Sequence, residues 1–133
     1  MQILLSLLAI LMFVGLVLVH EWGHFAVARW FGIRVEEFAF GFFFRVASFV
    51  RGETRFVLNL LPIGGYVKIY GENPQEVVVG VEEKRSFVAQ PRIIQGLVIV
   101  AGVVFNLLFA WLLFSAALMM RCRPNSAGNP RSL

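Results

Sequence analysis

The chain has 133 residues, of which 59% are hydrophobic and 15% are charged, and its mean hydropathy is +0.77. Soluble domains are about 45–50% apolar and about 25% charged, so this composition excludes a disordered chain and indicates a membrane protein. The single cysteine, Cys122, excludes a disulfide scaffold, and a net charge of +4 without a dense basic block argues against nucleic-acid binding.

The first predicted element is a transmembrane helix over residues 1–31. Residues 1–19 carry no charge, and the apolar run is long enough to cross ~30 Å of hydrocarbon. The alternative is a cleaved signal peptide, which needs a positive start, a shorter apolar stretch and a small-residue cleavage site. Since no Lys or Arg precedes Arg29, we predict an uncleaved helix.

Residues 32–70 are predicted to form a membrane-associated β-element of two to four short strands. Phenylalanines alternate with small residues over positions 38–42, which is typical of a strand. The Gly64-Gly65 pair predicts a turn before the strand-like segment 66–70. Such strands can lie at membrane depth only if their edges are covered or line a wet cavity.

A polar linker over residues 71–92 leads to a second predicted transmembrane helix over residues 93–120, and a tail follows at 121–133. Residues 93–120 contain no charge. The fold class is therefore a membrane α-helical protein with two transmembrane helices and an intervening β-hairpin or small sheet. Most basic residues lie between the helices, which predicts a cytoplasmic connecting segment.

The residues that indicate chemistry lie near the end of the first helix. His20 and His24 are the only histidines, and Glu21 follows the first of them. Positions i and i+4 share one face of a helix, so both imidazoles can reach one metal ion, and Zn²⁺ is the expected ion. Glu21 suits a general base better than a ligand. The alternative is that these polar residues only mark where the helix leaves the bilayer.

The sequence leaves this metal site incomplete. A catalytic zinc usually has about three protein ligands, yet the chain contains no third histidine and no aspartate. The other acidic residues lie in the connecting segment without ligand spacing, and they are Glu36, Glu37, Glu53, Glu72, Glu76, Glu82 and Glu83.

Several further motifs occur in one order along the chain. They occupy residues 20–25, 28–29, 32–35, 38–42, 62–68 and 87–110. This series resembles the site-2 proteases, which are intramembrane zinc metalloproteases, and most closely the bacterial regulator-of-sigma-E type. The resemblance implies a multi-pass protein of the bacterial inner membrane that cleaves single-span membrane proteins within the lipid bilayer.

The resemblance also implies residue roles. His20 and His24 would be zinc ligands and Glu21 the base. The β-element would hold an unwound substrate segment by strand addition. Substrate contacts are expected from Gly64, Gly65, Tyr66 and Asn106. The two glycines are otherwise simple turn residues, and Asn106 otherwise forms an interhelical hydrogen bond.

This chain also departs from the family pattern. Gly41-Phe42-Phe43 stands where the family usually has Gly-Phe-Gly, and Gly102-Val103 where it usually has Gly-Pro. The family takes its third ligand from an Asp on a later helix and, in this bacterial type, inserts a PDZ domain. We therefore expect the amino-terminal half of such a protease, with the missing half as a partner.

Two other function classes stay open. The first is a truncated or degenerate, non-catalytic membrane protein that acts as a partner or regulator. The second is a metal carrier, which is weaker because two imidazoles without softer ligands hold a metal poorly.

Overall fold

A computed structural model describes residues 1–73 and 83–121 of the chain. In chain order the elements are helix α1 (Gln2–Trp30), strand β1 (Val35–Arg51), strand β2 (Thr54–Ile69), a short 3₁₀ helix (Glu83–Arg85) and helix α2 (Arg92–Arg121). The described residues exclude part of the predicted linker and the predicted tail beyond Arg121. Glu76, Glu82 and Cys122 are therefore outside them.

Both helices are long and apolar enough to cross a membrane, by length and composition. Helix α1 has 29 residues and helix α2 has 30. The most apolar stretch of α1 is 0% buried and that of α2 is 17% buried, so most of the apolar side chains on both helices face outward. The core helix of a soluble domain would instead bury its apolar face.

Strands β1 and β2 form an antiparallel hairpin whose turn is Gly52-Glu53, with Arg51 paired to Thr54 across it. The positive φ of Gly52 (65°) suits a two-residue hairpin turn. Both strands also bend, since Glu37 pairs with Lys68 on one side and with Arg55 on the other. The register thus places four strand segments side by side, in the order 45–51, 54–59, 35–40 and 65–69.

The Gly64-Gly65 pair lies inside the continuous strand β2, at the reversal between segments 54–59 and 65–69. Positions 55–58 pair with 37–40 in the same direction, whereas positions 65–68 pair with them in the opposite direction. Gly64 has a φ of 90°, and Gly65 stays in the ladder opposite Phe40. A Gly-Gly pair is a local turn signal. The predicted turn before segment 66–70 is therefore present as a change of direction within β2, and the positive φ of Gly64 suits it.

A small apolar core joins the end of α1, the sheet and α2. Its buried members are Ala28, Ile33, Val35, Ile69 and Val98. A chain of aromatic rings extends this contact along α1, with centroids 5.1–6.0 Å apart, and consists of Trp22, Phe25, Phe38, Phe56 and Phe49. The aromatic contacts fix the last turns of α1, which carry the two histidines, against the sheet.

An exposed ion-pair network ties the hairpin turn to the helix ends. Arg85 donates to both carboxylate oxygens of Glu53, at 2.8 and 2.6 Å, and Arg29 lies 3.8 Å from the same carboxylate. The hydrogen bond from Arg85 lowers the pKa of Glu53. Since this carboxylate is exposed, the network positions the turn more than it stabilises the fold.

Phe43 adopts a positive φ of 72° at the position where the family pattern has glycine. An L-residue in the left-handed region costs about 1–2 kcal/mol, a penalty that glycine avoids. We expect Phe43→Gly to raise the free energy of unfolding by about 1 kcal/mol, measured by thermal unfolding in detergent.

Phe44→Gly is the matched control for this prediction. Phe44 is also largely exposed (76%, against 80% for Phe43) but does not adopt a positive φ. There glycine gains no relief of strain and adds backbone entropy to the unfolded state, so it should lower stability. Equal stability of the two variants would show that Phe43 is not strained.

Candidate active site

The structure brings the side chains of His20 and His24 together on one face of α1. Their Nε2 atoms lie 3.2 Å apart, and both side chains are half-buried. Two imidazoles that share a tetrahedral zinc, with Zn–N bonds of about 2.0–2.1 Å, have nitrogens about 3.3 Å apart. The separation observed is close to this value and is also a hydrogen-bond distance, so the pair is compatible with one shared zinc ion.

Helix α2 supplies the groups that contact the other ring nitrogens. The Nδ1 atom of His24 lies 2.7 Å from the carbonyl oxygen of Val98. The Nδ1 atom of His20 lies 3.2 Å from the side-chain amide of Asn106. Because the later histidine of α1 meets the earlier residue of α2, the two helices run antiparallel. A hydrogen bond from Nδ1–H of His24 to the carbonyl leaves the lone pair of Nε2 free to bind a metal.

Gly102 lies midway between Val98 and Asn106 and brings the backbone of α2 close to both imidazoles. A Cβ at this position would lie 2.5 Å from Nε2 of His24 and 2.7 Å from Nε2 of His20. On α1, a Cβ at Gly23 would lie 2.7 Å from the carbonyl oxygen of Ala101. The absence of a side chain at Gly23 therefore lets the two helices pack closely. Its absence at Gly102 leaves room for the two imidazole rings.

Glu21 faces the sheet across a cavity of about 340 Å³. Its lining includes Glu21, His24, Gly65, Tyr66 and Glu72. A Cβ at Gly65 would lie 3.1 Å from Cγ of Glu21 and 2.9 Å from the carbonyl oxygen of Ala39. Glycine at position 65 thus lets the backbone of β2 lie close to the turn of α1 that carries Glu21.

The four predicted substrate contacts occupy three different places. Gly65 and Tyr66 line the cavity beside Glu21. Gly64 instead lies against the ring of Phe42, which a Cβ there would approach to 2.4 Å, and Asn106 contacts His20. The contact of Asn106 with His20 is an interhelical hydrogen bond, which was the alternative to substrate binding for this residue. A role in substrate binding stays a prediction for all four residues.

The hydroxyl group of Tyr66 is already engaged within the sheet. It donates a hydrogen bond to the carboxylate of Glu37, and this bond raises the pKa of Tyr66. Arg45 lies 3.9 Å from the same carboxylate. The side chain of Tyr66 is thereby held at the rim of the cavity, and its backbone remains the part of the residue that can meet an extended peptide.

The glutamates of the connecting segment do not complete the metal site. Glu36 pairs with Lys68 at 2.7 Å, while Glu37 and Glu53 are engaged as described above. Within residues 1–73 and 83–121, no group of three or more His, Cys, Asp or Glu side chains could hold a metal ion. Among the glutamates that the structure describes in this segment, Glu72 is the one that lines the cavity with Glu21 and His24.

Sequence reasoning did not assign Val98 and Gly102 to the site. The signal that could have found them is their spacing: positions 98, 102 and 106 recur every four residues and share one face of α2. Gly102 is small and Asn106 is polar, whereas the rest of the helix is largely apolar. Such residues are typical of the face of a membrane helix that contacts another helix.

A helix that presents His-Glu-x-x-His with converging imidazoles is the arrangement of a zinc metalloprotease. The model of peptidase family M50 matches residues 8–123, and the chain belongs to this family. It is thus a member of the site-2 protease family, as the motif order predicted.

Curated relatives support the same assignment. A protein of Thermotoga maritima named "Putative zinc metalloprotease" is 43% identical over 105 residues, which cover 79% of this chain and 21% of the relative. A protein of the same name from Helicobacter pylori is 36% identical over 108 residues, covering 81% and 31%. Zinc metalloprotease RasP of Oceanobacillus iheyensis is 48% identical over 66 residues, covering 50% and 16%. The chain spans less than a third of the length of each of these relatives.

Proposed function

We propose that this chain carries the zinc-binding part of an intramembrane metalloprotease that hydrolyses peptide bonds of membrane-spanning proteins. The observation that carries the proposal is the 3.2 Å separation of the two imidazole nitrogens beside a carboxylate-lined cavity. The names of the curated relatives support zinc as the metal. The non-catalytic alternative is not favoured, because His20, Glu21 and His24 are all present in a chain of this family.

The residues of the site divide the chemistry between them. His20 and His24 would hold the zinc, which when bound would polarise a peptide carbonyl and activate water. Val98 holds the ring of His24 through its carbonyl oxygen. Glu21 lies next to the histidines and opens onto the cavity, where its carboxylate can accept the proton of the attacking water.

The edge of β2 supplies a surface for an extended substrate. Segment 65–69 pairs with segment 35–40 on its inner side, and no strand within the described ranges pairs with its outer side. Gly65, Tyr66 and Val67 of this segment line the cavity that contains Glu21. Strand addition there would bind an unwound segment through its main chain and place a peptide bond beside the carboxylate.

The outward apolar faces of both helices support placement in a membrane. Large side chains such as Ile3 (79% exposed), Leu107 (66%) and Trp111 (68%) point away from the small core. In water such surface would be unfavourable, whereas in lipid it is the expected surface of a spanning helix. We therefore propose that α1 and α2 both span the bacterial inner membrane, with single-span proteins as substrates and no nucleic-acid partner.

Zinc affinity tests the proposed metal site. We expect the purified chain in detergent to bind zinc weakly, because two imidazoles supply fewer than the roughly three protein ligands of a catalytic zinc. His20→Ala and His24→Ala should each abolish that binding, as measured by titration with zinc and a competing chromophoric chelator. Unchanged affinity in either variant would show that the histidine pair is not the site.

Cleavage tests the proposed reaction. The remaining portion of the Thermotoga maritima relative, supplied as a separate chain, should raise zinc affinity and produce cleavage of a model single-span substrate. We call this two-chain sample the complemented preparation. Full zinc occupancy and turnover by the 133-residue chain alone would reveal an overlooked ligand. Glu72 would then be tested before Glu36, Glu37 or Glu53, because it shares the cavity with His24.

A further inference from the structure

We infer that Asn106 is a positioning residue that holds His20 in the tautomer able to bind metal, by accepting a hydrogen bond from Nδ1–H. This inference rests on the proposed function and adds to it a residue that acts through one of the proposed ligands. It differs from the substrate contact that the sequence suggested for Asn106.

The chemistry of imidazole sets the requirement. A neutral imidazole carries one N–H, so a histidine that binds a metal through Nε2 must carry its proton on Nδ1. That proton needs an acceptor, and metal-binding histidines almost always have one. For His24 the acceptor is the carbonyl oxygen of Val98, at 2.7 Å. For His20 the group within hydrogen-bond distance of Nδ1 is the side-chain amide of Asn106, at 3.2 Å.

The amide of Asn106 contains the acceptor that His20 needs. Its Oδ1 atom is buried and makes no hydrogen bond with any described residue, while Nδ2 faces the ring. A half-turn about the Cβ–Cγ bond exchanges the two atoms with little change in shape. With Oδ1 toward the ring, the buried oxygen gains a donor and Nδ1–H gains an acceptor. Nε2 of His20 is then unprotonated and can bind a metal.

The placement of Asn106 on α2 makes this pairing specific. Val98 and Asn106 are eight residues apart and lie on either side of Gly102, whose missing side chain leaves the space between the imidazoles open. One face of α2 therefore orients both histidines of α1. An apolar residue at 106 would fill similar volume but leave Nδ1 of His20 without an acceptor.

Three variants of the chain test the inference by zinc affinity, which is independent of proteolysis. Asn106→Leu should weaken zinc binding about 10- to 100-fold, which is the usual effect of removing a hydrogen-bond partner of a metal-binding histidine. Asn106→Asp should bind at least as tightly as the wild type, because a carboxylate can only accept. Ser115→Ala on the same helix, where the hydroxyl group bonds to the carbonyl of Trp111, should change nothing.

The outcomes separate this inference from the proposed function. Loss of affinity in both Asn106→Leu and Asn106→Asp would show that the amide donates rather than accepts and would overturn the inference. Wild-type affinity in Asn106→Leu would overturn it as well. Absence of histidine-dependent zinc binding in the wild type would instead overturn the proposed metal site.

If Asn106→Leu does not fold, a measurement on the wild-type chain still tests the inference. Nitrogen-15 NMR of zinc-loaded chain labelled at histidine should show Nδ1 of His20 protonated and hydrogen-bonded, with Nε2 bound to metal. A protonated Nε2 on His20 would overturn the inference whatever the variants do.

Discussion

Glu21→Gln is expected to lower peptide-bond hydrolysis by the complemented preparation about 10²- to 10⁴-fold while zinc affinity stays unchanged. The amide has nearly the size of the carboxylate but cannot accept a proton, so the variant removes the base and leaves the histidines in place. Gly65 allows the β2 backbone to lie against this side chain, and the isosteric amide preserves that packing. Cleavage of the model substrate and zinc titration should be measured on the same samples.

Two comparisons make the Glu21 prediction specific. Glu83→Gln makes the same chemical change in the exposed 3₁₀ helix, outside the cavity lining, and should leave cleavage unchanged. Glu21→Asp keeps the carboxylate but shortens the side chain by one methylene group. The base is then present but displaced, so we expect partial activity. A Glu21→Gln variant that cleaves at the normal rate would show that another group accepts the proton. Loss of zinc would show that Glu21 is a ligand.

Gly102→Ala is expected to weaken zinc binding at least 10-fold while the helices stay packed. The added methyl group would lie 2.5–2.7 Å from the two Nε2 atoms, which is closer than van der Waals contact permits. The atoms it meets belong to imidazole rings rather than to backbone, so the rings can turn away at a cost of about 1–3 kcal/mol. That movement separates the nitrogens that would share the metal.

Gly96→Ala is the matched control for this variant, because a Cβ there has no heavy atom within 4 Å. It should leave zinc affinity unchanged and stabilise the helix by about 1 kcal/mol. Zinc titration together with thermal unfolding distinguishes a local effect on the histidines from general loosening. If Gly102→Ala and Gly96→Ala bind zinc equally, the space beside Gly102 is not part of the metal site.

The sequence alone predicted the features that depend on neighbours along the chain. Apolar runs predicted two long helices, and the structure has helices at Gln2–Trp30 and Arg92–Arg121. The i, i+4 spacing predicted that His20 and His24 share a face, and their nitrogens do converge. Helical geometry repeats every 3.6 residues, so such pairings follow from local spacing.

The tertiary structure decided what depends on distant partners. The sequence predicted a turn at Gly64-Gly65, but only the tertiary structure places the two flanking segments, 54–59 and 65–69, on opposite sides of segment 35–40. The contacts of His24 with Val98 and of His20 with Asn106 join residues 74 and 86 positions apart. The spacing of positions 98, 102 and 106 marks one face of α2, but it does not specify which residues of α1 that face meets. The packing of Gly23 on Ala101 and of Gly102 on the histidines sets the rotation of the two helices, and with it which residues complete the site.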